Sequence, residues 1–161
     1  MSVFKRESFA DFQERVVELN KVYGDDAVHT DLLAARHNDE ETVAAVATAA
    51  TDAVIARKKL LTIHKDFPYG ANAADQAAFL LRAFAGLQPF ATGNFETGWD
   101  YTSELFHHAG IAWNLDAPQE ELGLQLTDRL SEYQGGFQRR NCLDRDDLFH
   151  WLTDWCRQQI D

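Results

Sequence analysis

The chain has 161 residues and a mass of 18.3 kDa, the size of one domain. Apolar residues at 45% and aromatics at 12% exclude a disordered composition, and three Pro with nine Gly exclude collagen-like or linker-like character. Acidic residues outnumber basic ones 26 to 15, a net charge of −11, which is the opposite of the balance a duplex-nucleic-acid binder carries.

Helical periodicity runs through the sequence. Ser8 predicts an N-cap with Asp11 three residues on, followed by a stripe of Phe9, Phe12, Val16 and Leu19 that Gly24 closes. Asp25 or Asp26 opens a short helix through Leu32, Leu33 and Ala34. A long third helix begins at Asp39-Glu40-Glu41, with acids at the positive end of its dipole, and passes Val43, Val46, Ala50, Val54, Ile55 and Leu61. Phe67-Pro-Tyr-Gly70 breaks the pattern. Asn72 or Asp75 starts a helix from Ala74 to Ala85, apolar on most faces and so expected at the centre of a bundle. Gly86 to Gly98 reads as a loop, and a helix from about Trp99 to His108 ends at Gly110. Pro118 opens a helix carrying Leu122, Leu126 and Leu130 that is expected to stop at Gly135-Gly136. Asp146-Asp147 opens the last, with Leu148, Trp151, Leu152 and Trp155. The expectation is an all-α, single-domain bundle of about seven helices over residues 1–161, with no strand and no repeat.

Five Lys against ten Arg, and 16 Asp against ten Glu, resemble the usage of proteins that work in molar salt; an ordinary acidic cytosolic protein fits the numbers equally. No apolar run reaches the length of a membrane span, and Met1-Ser-Val-Phe-Lys-Arg-Glu7 lacks the apolar core of a secretory leader. Cys142 and Cys156 form no CxxC and are expected to be reduced, partly buried thiols of a cytoplasmic protein. Arg139, Arg140 and Arg145, among aspartates, read as solvated loop charge. The four Trp and eleven Phe read as core packing rather than a base-stacking platform.

The informative segment is Gln88-Pro-Phe-Ala-Thr-Gly-Asn-Phe-Glu-Thr97, between a buried helix and another helix start. A Gly-Asn turn at the positive end of a helix suits anion binding, although alone it signals only a turn. The segment resembles the signature of the Fic superfamily, in particular its death-on-curing (Doc) branch, which reads His-Pro-Phe-x-Asp-Gly-Asn-Lys-Arg-Thr. Pro89, Phe90, Gly93, Asn94 and Thr97 stand at matching positions. Phe12 to Asn38, with Glu18-Leu-Asn20 and Tyr23-Gly24, is similar to the family's N-terminal part. Ala74 to Arg82 is similar to the helix before its motif, and Asp146 to Leu152 to its C-terminal helix.

The resemblance implies a Fic/Doc-like fold and a site for transferring AMP or phosphate from a nucleotide to a protein hydroxyl. In the family a histidine takes the target's proton and the loop amides hold phosphates. Here Gln88 stands in place of that histidine, and an amide cannot serve as a general base, a role worth about 10²–10⁴-fold. Thr92 replaces the metal-binding acid. Phe95 and Glu96 replace the two phosphate-facing cations, and Glu96 inverts the sign. At ~5 Å and an effective dielectric of about 20, a carboxylate repels a phosphate by roughly 3 kcal/mol before screening. Pro89 and Phe90 are expected to fix and bury the loop.

Two functions follow. The first is a non-catalytic Doc/Fic-like protein acting through a protein partner, an antitoxin or a target in a toxin–antitoxin-type module, with homo-oligomerisation open. The second is a transferase with a rearranged site, using ATP and Mg²⁺, in which Gly93, Asn94, Phe95, Glu96 and Thr97 form the phosphate loop. Glu96, Asp100 or His107 would then supply the base or a metal ligand. The family's inhibitory Ser/Thr-x-x-x-Glu helix has its nearest copy at Thr48-Ala-Ala-Thr-Asp52; Glu96 could block the phosphate site from inside the loop. Asp100, Glu104 and His108 share a helical face and, with Thr92, are weak metal candidates; a polar helix face ending in a His pair accounts for them better. His64 reads as a dipole partner at a helix end, and His29, His37 and His150 have no evident partner in sequence.

Overall fold

An apolar helix is the axis around which the other elements are laid. The computed structural model describes residues 7–24 and 51–160 and, between them, His29 and Leu32. In chain order the described α-helices are α1 (Phe9–Asn20), α2 (Thr51–Asp66), α3 (Ala73–Leu87), α4 (Asn94–Ala109), α5 (Gln119–Leu130) and α6 (Asp147–Gln159). Short 3₁₀ turns lie at Lys21–Tyr23 and Arg139–Asn141. Among the described residues there is no strand, only one antiparallel bridge between Trp113 and Ile160. The protein is thus all-α, with six α-helices in the described part. His29 and Leu32 are helical; the rest of the expected second helix, the start of the third from Asp39, His37 and most of Thr48–Asp52 lie outside the described residues. Among the described residues no helix is long and apolar enough to cross a membrane.

The predicted caps organise the helix starts. Ser8 accepts the Asp11 amide at 3.1 Å, Asn72 accepts the Asp75 amide at 2.9 Å, and Asp146 accepts the Phe149 amide at 2.9 Å. α3 buries twelve of its fifteen residues and lies chiefly against α4 and α6, with α2 and α5 alongside. α4 comes close to it at Gly98, where an added Cβ would stand 3.0 Å from the Phe84 Cβ. α1 turns Phe12, Val16 and Val17 into the core, and α5 does so with Leu122, Leu126 and Leu130. Trp99 is buried against Trp113 and Trp155, with ring centroids 5.0 and 6.0 Å apart, so these indoles are core packing as expected.

Two boundaries differ from expectation. α5 stops at Leu130, not at the glycine pair: the Ser131 hydroxyl bonds to the Asp128 carbonyl at 2.6 Å, and Tyr133 leaves the helical path to reach Asp146. α4 begins at Asn94, five residues before the expected Trp99, and this shapes the site.

Among the described residues, one charged side chain lies in the core. Arg82 of α3 is 1% exposed. It donates to the Cys142 and Asp144 carbonyls at 2.8 and 2.7 Å and to Asp146 Oδ1 at 3.1 Å. Its guanidinium also lies over the Phe149 ring, 5.2 Å from the centroid. Arg82 therefore rivets the central helix to the segment that leads into α6. Cys142 and Cys156 are buried and free, and burial pushes the Cys142 thiol up to about 12, so it stays protonated. Arg139 and Arg145 are exposed and face Asp66 at 3.3 Å and Asp75 at 3.6 Å, the solvated loop charge expected of them.

Candidate functional site

The segment from Gln88 to Thr97 is a short closed loop followed by the first turn of a helix. α3 ends at Leu87, and Gln88 caps it in the left-handed region at φ 52°, its amide donating to the Phe84 carbonyl at 3.1 Å. Gln88 is the one described non-glycine residue with positive φ, and its side chain is exposed. Lys59 reaches its carbonyl at 3.3 Å. Pro89 and Phe90 then turn inward and are buried, as expected.

Asn94 closes the loop on itself. Its Oδ1 accepts the Phe90 amide at 2.9 Å, and its Nδ2 donates to the Phe90 carbonyl at 2.8 Å. Both ends of this amide are consumed in holding the turn. Gly93 supplies the reversal at φ 70°, and a Cβ there would stand 2.4 Å from the Tyr23 Cβ. With Gly93 as cap, the Thr97 amide bonds back to the Gly93 carbonyl at 2.9 Å, and the helix starts at once. This corrects the expected loop from Gly86 to Gly98: positive φ is confined to Gln88 and Gly93, and Asn94 to Gly98 are free to wind. Glu96, in that first turn, complements the dipole.

A second layer fixes the loop from α1. Asn20, 1% exposed, donates to the Thr92 carbonyl at 2.9 Å and to the buried Thr97 hydroxyl at 3.0 Å. Its Oδ1 receives His29 Nε2 at 2.8 Å, and the His29 ring meets Phe90 edge-on at 5.5 Å. The Thr92 hydroxyl donates to the Tyr23 carbonyl at 3.3 Å. Tyr23 donates its own hydroxyl to Asp100; burial, and then Asp100, hold that hydroxyl well above the ordinary phenol range, so it remains a donor. Sequence reasoning gave Asn20, Tyr23 and His29 no role. One signal was present: Asn20 continues the Phe12–Val16 spacing of four onto the buried face of α1.

The metal candidates are not brought together. Asp100 takes the Tyr23 hydroxyl, while Glu104 faces Arg15 at 3.6 Å, and Arg15 also faces Glu7 at 3.3 Å. His108 is exposed, with its ring 5.8 Å from that of His107. Among the described residues no group of three or more His, Cys, Asp or Glu side chains is placed to hold a metal ion. His64 lies away from the loop, donating Nε2 to the Glu7 carbonyl at 2.7 Å.

No protein-family model, curated protein or solved structure matches the chain. Function therefore rests on the chemistry of the loop.

The amides of Asn94, Phe95 and Glu96 precede the first intrahelical bond, so they present a positive helix end. What surrounds them is not cationic. Glu96 is exposed beside them, and the Phe95 ring lies over Gly123 of α5. Together these two residues form one wall of a cleft of about 440 Å³ whose other wall holds Gln119, Glu120, Leu124 and Thr127. The described loop thus offers an exposed amide at Gln88, an engaged hydroxyl at Thr92, and a carboxylate at the helix end.

The strain at Gln88 is testable. Gln88→Gly is expected to stabilise the fold by about 0.5–1 kcal/mol, because glycine enters the left-handed region without a Cβ penalty. The urea midpoint reports it; an unchanged or lower midpoint would show that the Gln88 side chain contributes more than its backbone costs.

Proposed function

We propose that this chain is a Fic/Doc-like protein of the death-on-curing kind that keeps the signature loop as a scaffold and has lost nucleotide and phosphate transfer. It acts by protein contact, as a partner or regulator in a toxin–antitoxin-type module of a reducing cytoplasm. One observation carries the reading: the residues that build the loop and those that would do its chemistry have parted. Pro89 and Phe90 are buried, Gly93 turns the chain, and Asn94 clasps Phe90 from both ends. Gln88, Thr92, Phe95 and Glu96 stand where the resembled family places its base, its metal-binding acid and its two phosphate-facing cations. A loop held by Asn20, Thr97 and Tyr23 remains useful as a rigid surface without any of that chemistry.

The test is a transfer assay. The purified chain is incubated with Mg²⁺ and radiolabelled ATP, GTP or CTP, alone and in a bacterial extract, and products are read by autoradiography and intact mass. No transfer above a heat-denatured control is expected. Transfer that depends on the folded chain and disappears in Asn94→Ala would establish the transferase instead.

A further inference from the structure

The cleft beside the loop has a chemistry of its own. Leu124 is 71% exposed on α5, while Leu122, Leu126 and Leu130 of the same helix are buried. Leu124 and the half-buried Phe95 ring make an apolar floor at Gly123. Gln119 and Glu120 line this cleft and also a neighbouring hollow that reaches the 62% exposed Leu115. Four carboxylates border the combined groove, those of Glu96, Asp116, Glu120 and Glu121, and no Lys, Arg or His lines it. Among the described residues Glu96, Asp116 and Glu120 have no ion-pair partner; Glu121 meets only Gln125, at 3.4 Å. First-turn acids complement the dipoles of α4 and α5 and need no ligand. That leaves unexplained why large apolar side chains stand in solvent among them.

We infer that this groove docks a basic peptide segment of a partner protein, seating an apolar side chain between Phe95 and Leu124 and Lys or Arg side chains against Glu96 and Glu120. The occupant follows from charge complementarity. A phosphate-bearing ligand meets carboxylates on both walls, whereas a cationic segment relieves their mutual repulsion while its apolar residue removes Leu124 from water. The inference rests on the protein-contact reading above and names the chemistry of that partner.

The experiment titrates a fluorescein-labelled amphipathic peptide of Lys and Leu by fluorescence anisotropy. It uses the lowest KCl concentration that leaves the helical circular dichroism intact. Glu96→Lys/Glu120→Lys and Leu124→Ser are each expected to weaken binding about tenfold or more. Glu18→Lys/Asp154→Lys, at exposed positions of α1 and α6, makes the same change in net charge and is expected to leave affinity within about twofold. Equal weakening by both lysine pairs, unchanged affinity in Leu124→Ser, or no saturable binding by the wild-type chain would overturn the inference. Circular dichroism of each variant separates lost binding from lost fold. A chain that transfers nucleotide yet binds the peptide at this groove fails the functional reading alone; one that does neither fails only the docking surface.

Discussion

Arg82→Ala is expected to lower the stability of the fold by about 3–5 kcal/mol, the cost of emptying a fully buried site and stripping the donors from its acceptors. The guanidinium is enclosed, and without it the buried Cys142 carbonyl loses a donor that water does not readily replace, while the more exposed Asp144 carbonyl and Asp146 carboxylate lose theirs to solvent. For a chain of this size the loss corresponds to a fall in Tm of roughly 6–20 °C. Arg82→Lys recovers little, because an ammonium cannot serve three acceptors in the planar spread a guanidinium covers. Calorimetry of the two variants checks this; an Arg82→Ala loss below about 1 kcal/mol would show that the rivet is not structural.

The same cluster sets an acid dependence. Burial opposes ionisation of Asp146, but the Tyr133 hydroxyl, the Phe149 amide and Arg82 outweigh it and hold its pKa below the usual carboxylate value. A depressed folded pKa contributes stability above the unfolded value of about 3.9, and that stability is lost as pH falls through the folded pKa. The wild-type chain is therefore expected to lose more stability between pH 5 and pH 3 than Asp146→Asn does. Equal acid slopes for the two chains would contradict the assignment.

Asn20→Ala is the second large effect, at about 2–4 kcal/mol, since each buried polar group left unmatched costs about 1–3 kcal/mol. It strips a donor from the Thr92 carbonyl and the Thr97 hydroxyl and an acceptor from His29. The loss should be local as well as global. Amide exchange at Thr92 to Thr97 is expected to quicken more than at the centre of α3, because the loop is fastened to α1 through this one side chain and through Tyr23. Thr97→Val removes a single bond and costs less. Uniform quickening throughout the bundle would mean that Asn20 stabilises the core and does not specifically hold the loop.

These two residues mark where the sequence could be read and where it could not. The centre of the bundle was legible because Ala74 to Ala85 is apolar on nearly every face, and the caps at Ser8, Asn72 and Asp146 precede their helices by fixed spacing. The loop was legible in its structural positions: Pro89, Phe90, Gly93 and Asn94 are the residues that bury, turn and close it. The start of α4 was misplaced because Gly86 and Gly98 read as the two ends of one loop. In the fold Gln88 and Gly93 take positive φ and bound the loop, while Gly98 lies inside α4 and serves the close contact with Phe84. Arg82 gave a faint signal as the one charge between Asp75 and Glu96, but its partner lies 64 residues away. Asp100, Glu104 and His108 do share a helical spacing. Their carboxylates are claimed from α1 and the turn after it, by Arg15 and Tyr23, which periodicity along one helix cannot show.

On the proposed function, the loop keeps a phosphate-loop scaffold and has lost its ligand. The measurement that tests it most directly is thermal unfolding, with and without millimolar Mg²⁺ and ATP. It compares the wild-type chain with one carrying Gln88→His, Thr92→Asp and Glu96→Arg. A ligand at 100 times its Kd stabilises by about 2.7 kcal/mol, a rise in Tm of roughly 5–10 °C here. The account predicts such a rise in the substituted chain and none in the wild type. A rise of that size in the wild-type chain, or none in either, would contradict it.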